Sequence, residues 1–118
     1  MESTLTYEIG RKFNDRHWPC MEAVKWLYET NGIKTVLDEQ TTGEWVRIAS
    51  SGFREYESRR VHKLAKGRLI VFLLPNGRWH VGAYLGRGKF FHAHDGYGAV
   101  GKVFRFKDSI KGIFEVTA

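Results

Sequence analysis

Cys20, His80 and His92 are the residues whose types and placement offer chemistry. Pro19 suits the first position of a helix. Ala23, Val24, Leu27 and Tyr28 then recur at helical spacing until Asn31-Gly32 ends the run. Cys20 therefore falls in the first helical turn, where unpaired N–H groups and the positive end of the helix dipole are concentrated. That position favours the thiolate and predicts a pKa below the ~8.5 of a free cysteine. A nucleophile needs a base as well as a low pKa. The plain alternative is that a single cysteine serves as a small buried apolar residue.

A hairpin supplies the base. If Gly86-Arg87-Gly88 is a three-residue loop, Leu85 pairs with Lys89. His80 then stands opposite His94, and His92 opposite Gly82. Residues two apart share a strand face, so His80, Gly82, His92 and His94 share one. His80 and His92 become diagonal neighbours, at roughly 7–8 Å between backbones, and Gly82 leaves room for an imidazole to lean across. Two imidazoles beside a thiol fit hydrolysis through a covalent intermediate. One takes the thiol proton and later gives it to the leaving amine; the second holds the first in the right tautomer. Two other uses remain open. Histidines on a half-buried strand also serve as satisfied polar groups, and His80, His92, His94 and Asp95 could converge on a zinc ion.

Two textures must position these groups. Residues up to about 66 read helical, with a second helix expected over 43–57, capped by Thr41 or Thr42. Beyond that, strands are expected over 68–74, 79–85, 89–94, 100–106 and 113–116, separated by Gly-rich turns such as Pro75-Asn76-Gly77. The layout is α+β: helices first, then a small antiparallel sheet.

Composition narrows the class. The chain has 118 residues, 42% of them apolar, which suits one domain spanning 1–118 with a sizeable core. A single cysteine excludes an internal disulfide framework and any cysteine-cluster zinc site. No apolar run approaches the ~20 residues of a membrane span, and the first eight residues show no secretory pattern. The net charge of +6 suits an anionic partner. The densest basic cluster is Arg59-Arg60 with Lys63, Lys66 and Arg68, whose plain reading is a solvated face. No groove-reading motif accompanies that charge, so nucleic acid is not expected as a partner.

The stretch Trp79-His80-Val81-Gly82-Ala83-Tyr84-Leu85-Gly86-Arg87-Gly88-Lys89-Phe90-Phe91-His92-Ala93 resembles the signature hairpin of the NlpC/P60 cysteine peptidases. The strand before it, from Lys66-Gly67-Arg68 through Phe72, resembles the preceding family strand. Pro19-Cys20-Met21-Glu22-Ala23-Val24-Lys25-Trp26-Leu27-Tyr28 with Gly32-Ile33 resembles the nucleophile helix of phage-tail members. The likeness spans most of residues 19–106. It implies a papain-like fold, with Cys20 as nucleophile, His80 as general base and His92 as the orienting residue. It also implies hydrolysis of peptidoglycan stem peptides by a phage tail component, without cofactor or metal. Such a protein would be made in the host cytoplasm, carried in the virion beside tail-hub or tail-tip proteins, and act at the bacterial cell wall. His17, Trp18, His94 and Asp95 are the expected substrate-contacting residues, with 95–98 read as a loop beside the site.

The flanks of Cys20 depart from the family pattern. Pro19 stands where Asp is usual, and Met21-Glu22 follow where small residues are usual. Glu22 places an anion near the thiol, which works against thiolate formation. Arg68 replaces the Asp of the preceding strand, and Phe13 or Trp18 would stand where the family has a tyrosine hydroxyl. These departures carry a second expectation: a structural tail-tip or tail-assembly protein with a papain-like fold and little or no catalysis.

Overall fold

In the computed structural model, residues 4–13, 19–35, 60–61 and 63–116 are described. The expected second helix over 43–57 lies outside them, as do His17 and Trp18.

Helix α1 (Pro19–Thr30) forms where its apolar spacing places it. Cys20, Met21, Ala23, Val24, Leu27 and Tyr28 are its buried face. Its C-terminal end is closed by backbone bonds. Ile33 N–H donates to Tyr28 C=O at 2.9 Å, with Gly32 in the left-handed region at φ 66°. Asn31 then ties this end to the N-terminal segment. Its amide donates to Leu27 C=O and Thr6 C=O, both at 2.8 Å, and its Oδ1 accepts from Thr6 N–H at 2.7 Å.

The strands are β1 (Arg60–Val61), β2 (Leu69–Leu73), β3 (Trp79–Gly86), β4 (Lys89–His94), β5 (Tyr97–Lys102) and β6 (Ile110–Phe114). They form one six-stranded sheet in the order β1-β6-β2-β3-β4-β5, with every described pairing antiparallel. The α+β layout is as expected, with three corrections. Residues up to 66 are not all helical, since 60–61 pair with β6. The strand expected over 100–106 ends at Lys102 and passes into a 3-10 helix, Val103–Ser109. The last strand starts at Ile110, not at residue 113. No described helix is long and apolar enough to cross a membrane.

The sheet separates two apolar clusters. On one face α1 packs against Leu69, Val71, Val81, Ala83, Phe91 and Ala93. Phe13 and Trp26 join Phe91 here, with ring centroids 5.8–6.3 Å apart. On the other face Ile70, Phe72 and Phe90 are fully buried, with Phe106 of the 3-10 helix 5.7 Å from Phe72 and 5.5 Å from Phe90. Glycines make room for these rings. A Cβ at Gly82 or Gly101 would stand 2.6 or 2.5 Å from the Phe90 ring. At Gly98 a Cβ would meet the Glu8 carbonyl oxygen at 2.5 Å as well as Phe91.

That last contact generates a prediction. Backbone cannot swing aside as a side chain can, so Gly98→Ala must push the N-terminal segment off β5. It should cost about 1–3 kcal/mol, read as a fall in thermal midpoint of roughly 4–8 °C per kcal/mol. Tyr28→Phe should do the opposite. The Tyr28 hydroxyl is buried without a hydrogen-bond partner among the described residues, so its removal should leave the midpoint unchanged or raise it.

Candidate functional site

The β3–β4 hairpin sets the site. Its turn is a two-residue loop, Arg87-Gly88, with Gly86 paired to Lys89, rather than the three-residue loop expected. A register shift between Tyr84 and Gly86 absorbs the difference. The pairs Ala83↔Phe91 and Tyr84↔Phe90 therefore hold the expected register. There the β3–β4 ladder stops. Residues 79–82 pair only with β2, and residues 92–94 only with β5. The two strands part, and the N-terminal turn of α1 stands against the parting.

Hydrogen bonds from Leu74 N–H to Arg78 C=O and from Tyr84 N–H to Arg68 C=O aim the even-numbered amides of β3 at β2. Alternation aims the Val81 amide at the opposite edge, where β4 has withdrawn. The Cys20 thiol is close enough to feel that amide. Its hydrogen-bonding neighbours are the backbone groups of Val81, Met21 and Cys20 itself. Burial dominates its electrostatics: the residue is 5% exposed, and desolvation raises the thiol pKa despite those amides. The expected depression of the pKa is thus reversed, because a dry cavity costs a thiolate more than three backbone dipoles return. Glu22 is not among the groups that shift it.

The histidines meet on the far side of the same parting. His80 Nε2 and His92 Nδ1 are 2.7 Å apart, with ring planes nearly perpendicular at 87°. The two rings meet as expected, although the expected backbone pairs His80–His94 and Gly82–His92 are not among the β3–β4 pairs. Their support differs from expectation. The space above Gly82 is filled by the Phe90 ring, not by a leaning imidazole. His92 rests on Phe90 with centroids 4.8 Å apart, and His80 on Phe72 at 5.9 Å. Burial first, then His94, lowers the His80 pKa to about 4. Burial, His80 and His94 lower that of His92 to about 3. Both rings are neutral at pH 7. Their hydrogen bond occupies His80 Nε2 and leaves Nδ1 for another partner.

His94 neighbours this pair, its ring centroid 6.3 Å from that of His92, but it and Asp95 face solvent. Their side chains are 74% and 88% exposed, with His94 Nε2 3.5 Å from the Asp95 carboxylate. The segment 95–98 is not an open loop. Asp95-Gly96 is a two-residue turn with both φ positive, 52° and 84°, while Tyr97 and Gly98 already belong to β5. Among the described residues no three His, Cys, Asp or Glu side chains are grouped as metal ligands. Sequence reasoning missed the Val81 amide, because no residue type marks a backbone donor. Comparison with protein-family models gives no match, and comparison with curated proteins gives no significantly similar relative.

The neutral imidazoles give a pH dependence with a definite sign. Between about pH 6.5 and 4 the unfolded chain takes up protons on His80 and His92 while the folded protein does not. Stability contributed by the pair is therefore present above pH 6.5 and lost as the pH falls through the folded values. The urea midpoint of the wild type should fall more between pH 7 and 4.5 than that of a His80→Gln/His92→Gln variant. Parallel pH profiles for the two proteins would contradict the buried, neutral pair.

Proposed function

We propose that the protein is a papain-like cysteine hydrolase of the NlpC/P60 type, acting on peptidoglycan stem peptides as a phage tail component. The observation that carries this reading is the 2.7 Å His80–His92 bond on β3 and β4, with Cys20 in the first turn of α1 and its thiol under the influence of the Val81 backbone. For His80 Nδ1 to accept a proton, His80 must hold its own on Nε2 and donate it to His92 Nδ1. His92 then keeps its proton on Nε2. The pair thus has a tautomer in which His92 orients the base.

In the proposed cycle, Cys20 Sγ attacks the peptide carbonyl carbon and its proton passes to His80 Nδ1. Backbone N–H groups at the start of α1 receive the developing oxyanion. The C–N bond breaks as His80 protonates the leaving amine, giving a thioester. Water, deprotonated by His80, then attacks the thioester; the acid is released and the thiol regains its proton.

A second reading is favoured by the thiol itself. It is buried, its pKa is raised, and its neighbours are amides rather than an imidazole. A tail-tip or assembly protein that keeps the fold without catalysis would rest in that state.

Incubation with purified peptidoglycan, followed by mass analysis of released fragments, separates the two readings. The hydrolase should release peptide fragments, Cys20→Ala should release none, and His80→Ala should lose about 10²–10⁴-fold in rate. Unchanged cleavage by Cys20→Ala would sink the mechanism. An intact sacculus, with a thiol inert to iodoacetamide at neutral pH, would support the structural reading.

A further inference from the structure

At the turn end of β3 and β4, far along the strands from the histidines, lies a groove of about 620 Å³. Leu5, Tyr7 and Leu85 supply its apolar lining, and Lys66, Arg87 and Lys89 its charged lining. No acidic side chain is among the described residues that line it.

Two features of this groove run against local folding preference. Arg87 occupies a turn position with φ 54°, in the left-handed region that glycine or asparagine fills at least cost. Lys89 stands directly opposite Lys102 in the β4–β5 ladder, and like charges at opposed positions destabilise a sheet. Edge protection accounts for Lys102, since β5 is an edge strand. It does not account for Lys89, because β4 is an interior strand. Among the described residues no carboxylate pairs with Arg87, Lys89 or Lys102. Both unfavourable choices are cations, and both line one groove. Local rules broken together at one place point to a site.

We propose that this groove binds a phosphate-bearing small molecule. The phosphate oxygens lie against Arg87 and Lys89, and an apolar or aromatic body lies against Leu5, Tyr7 and Leu85. A phosphate dianion fits several convergent cations, and a guanidinium can engage two of its oxygens. The volume exceeds that of a bare anion and is within the range of small-molecule pockets. The binding makes and breaks no covalent bond and is independent of the hydrolase reading.

The test is an NMR titration of the ¹⁵N-labelled full chain with phenyl phosphate, inorganic phosphate and benzyl alcohol. Phenyl phosphate should shift the amides of Gly86, Arg87, Gly88 and Lys89 saturably. It should bind at least tenfold more tightly than inorganic phosphate or benzyl alcohol. Arg87→Gln and Lys89→Gln are exposed changes that should leave the rest of the spectrum in place. Each should weaken binding at least fivefold. The thermal midpoint should rise with phenyl phosphate in the wild type and not in the double variant. Shifts confined to other residues, equal affinity in the variants, or inorganic phosphate binding as tightly would overturn the proposal. So would a DNA duplex that binds through Arg87 and Lys89 while phenyl phosphate does not.

Discussion

The seating of the first turn of α1 against the edge of β3 is the contact on which the site depends. A continuous β3–β4 ladder would direct the Val81 amide to a carbonyl of β4 and bar the thiol from that edge. Because the ladder stops at Ala83 and Phe91, the amide is not taken by β4, and it acts on the Cys20 thiol. The histidines belong to the opposite face of the sheet, over Phe72 and Phe90. At this level no β3–β4 backbone ladder separates the two faces. Cys20, by Val81, belongs to the α1 face at this level, and the histidine pair to the other.

Ring packing holds the parting in place from below. Phe90 lies between the planes left by Gly82 and Gly101 and touches Phe72, Phe106 and His92. A side chain at either glycine would displace it. This arrangement sets the height of His92 and, through the 2.7 Å bond, the orientation of His80. The glycines here act by letting an aromatic ring approach the backbone, rather than by turning the chain. Under the hydrolase reading, rigid support of this kind is what a positioned base requires.

How much of this was legible follows from the range of each interaction. The helix over Cys20 and the meeting of the two histidines were readable, because periodicity and hairpin register are local. Even the misjudged turn did little harm, since the irregularity between Tyr84 and Gly86 restored the register. Residues 60–61 were not readable as a strand: two residues carry no alternation, and their partner is more than fifty positions away. The passage from strand to 3-10 helix at Val103 was hidden for another reason. The apolar run Val103-Phe104-Arg105-Phe106 reads as a strand, yet Phe104 is 76% exposed, and the two residues that reach the core, Val103 and Phe106, stand three apart, the spacing of a 3-10 turn. The thiol pKa was misjudged in direction because the dipole of a helix end is written in the sequence, and the dryness of its surroundings is not.

That reversal has a consequence for the proposed chemistry. A raised thiol pKa and a lowered imidazole pKa both oppose proton transfer from Cys20 to His80 in the resting protein. The pair rests neutral, unlike a preformed thiolate–imidazolium. Under the hydrolase reading, the proton must then leave sulfur as the carbonyl is attacked, so His80 works as a general base in the transition state. Under the same reading, backbone N–H groups at the start of α1 meet the charge that develops. Burial therefore acts in two directions. It lowers the standing reactivity of the thiol, and it strengthens every dipole that the reacting carbonyl would encounter.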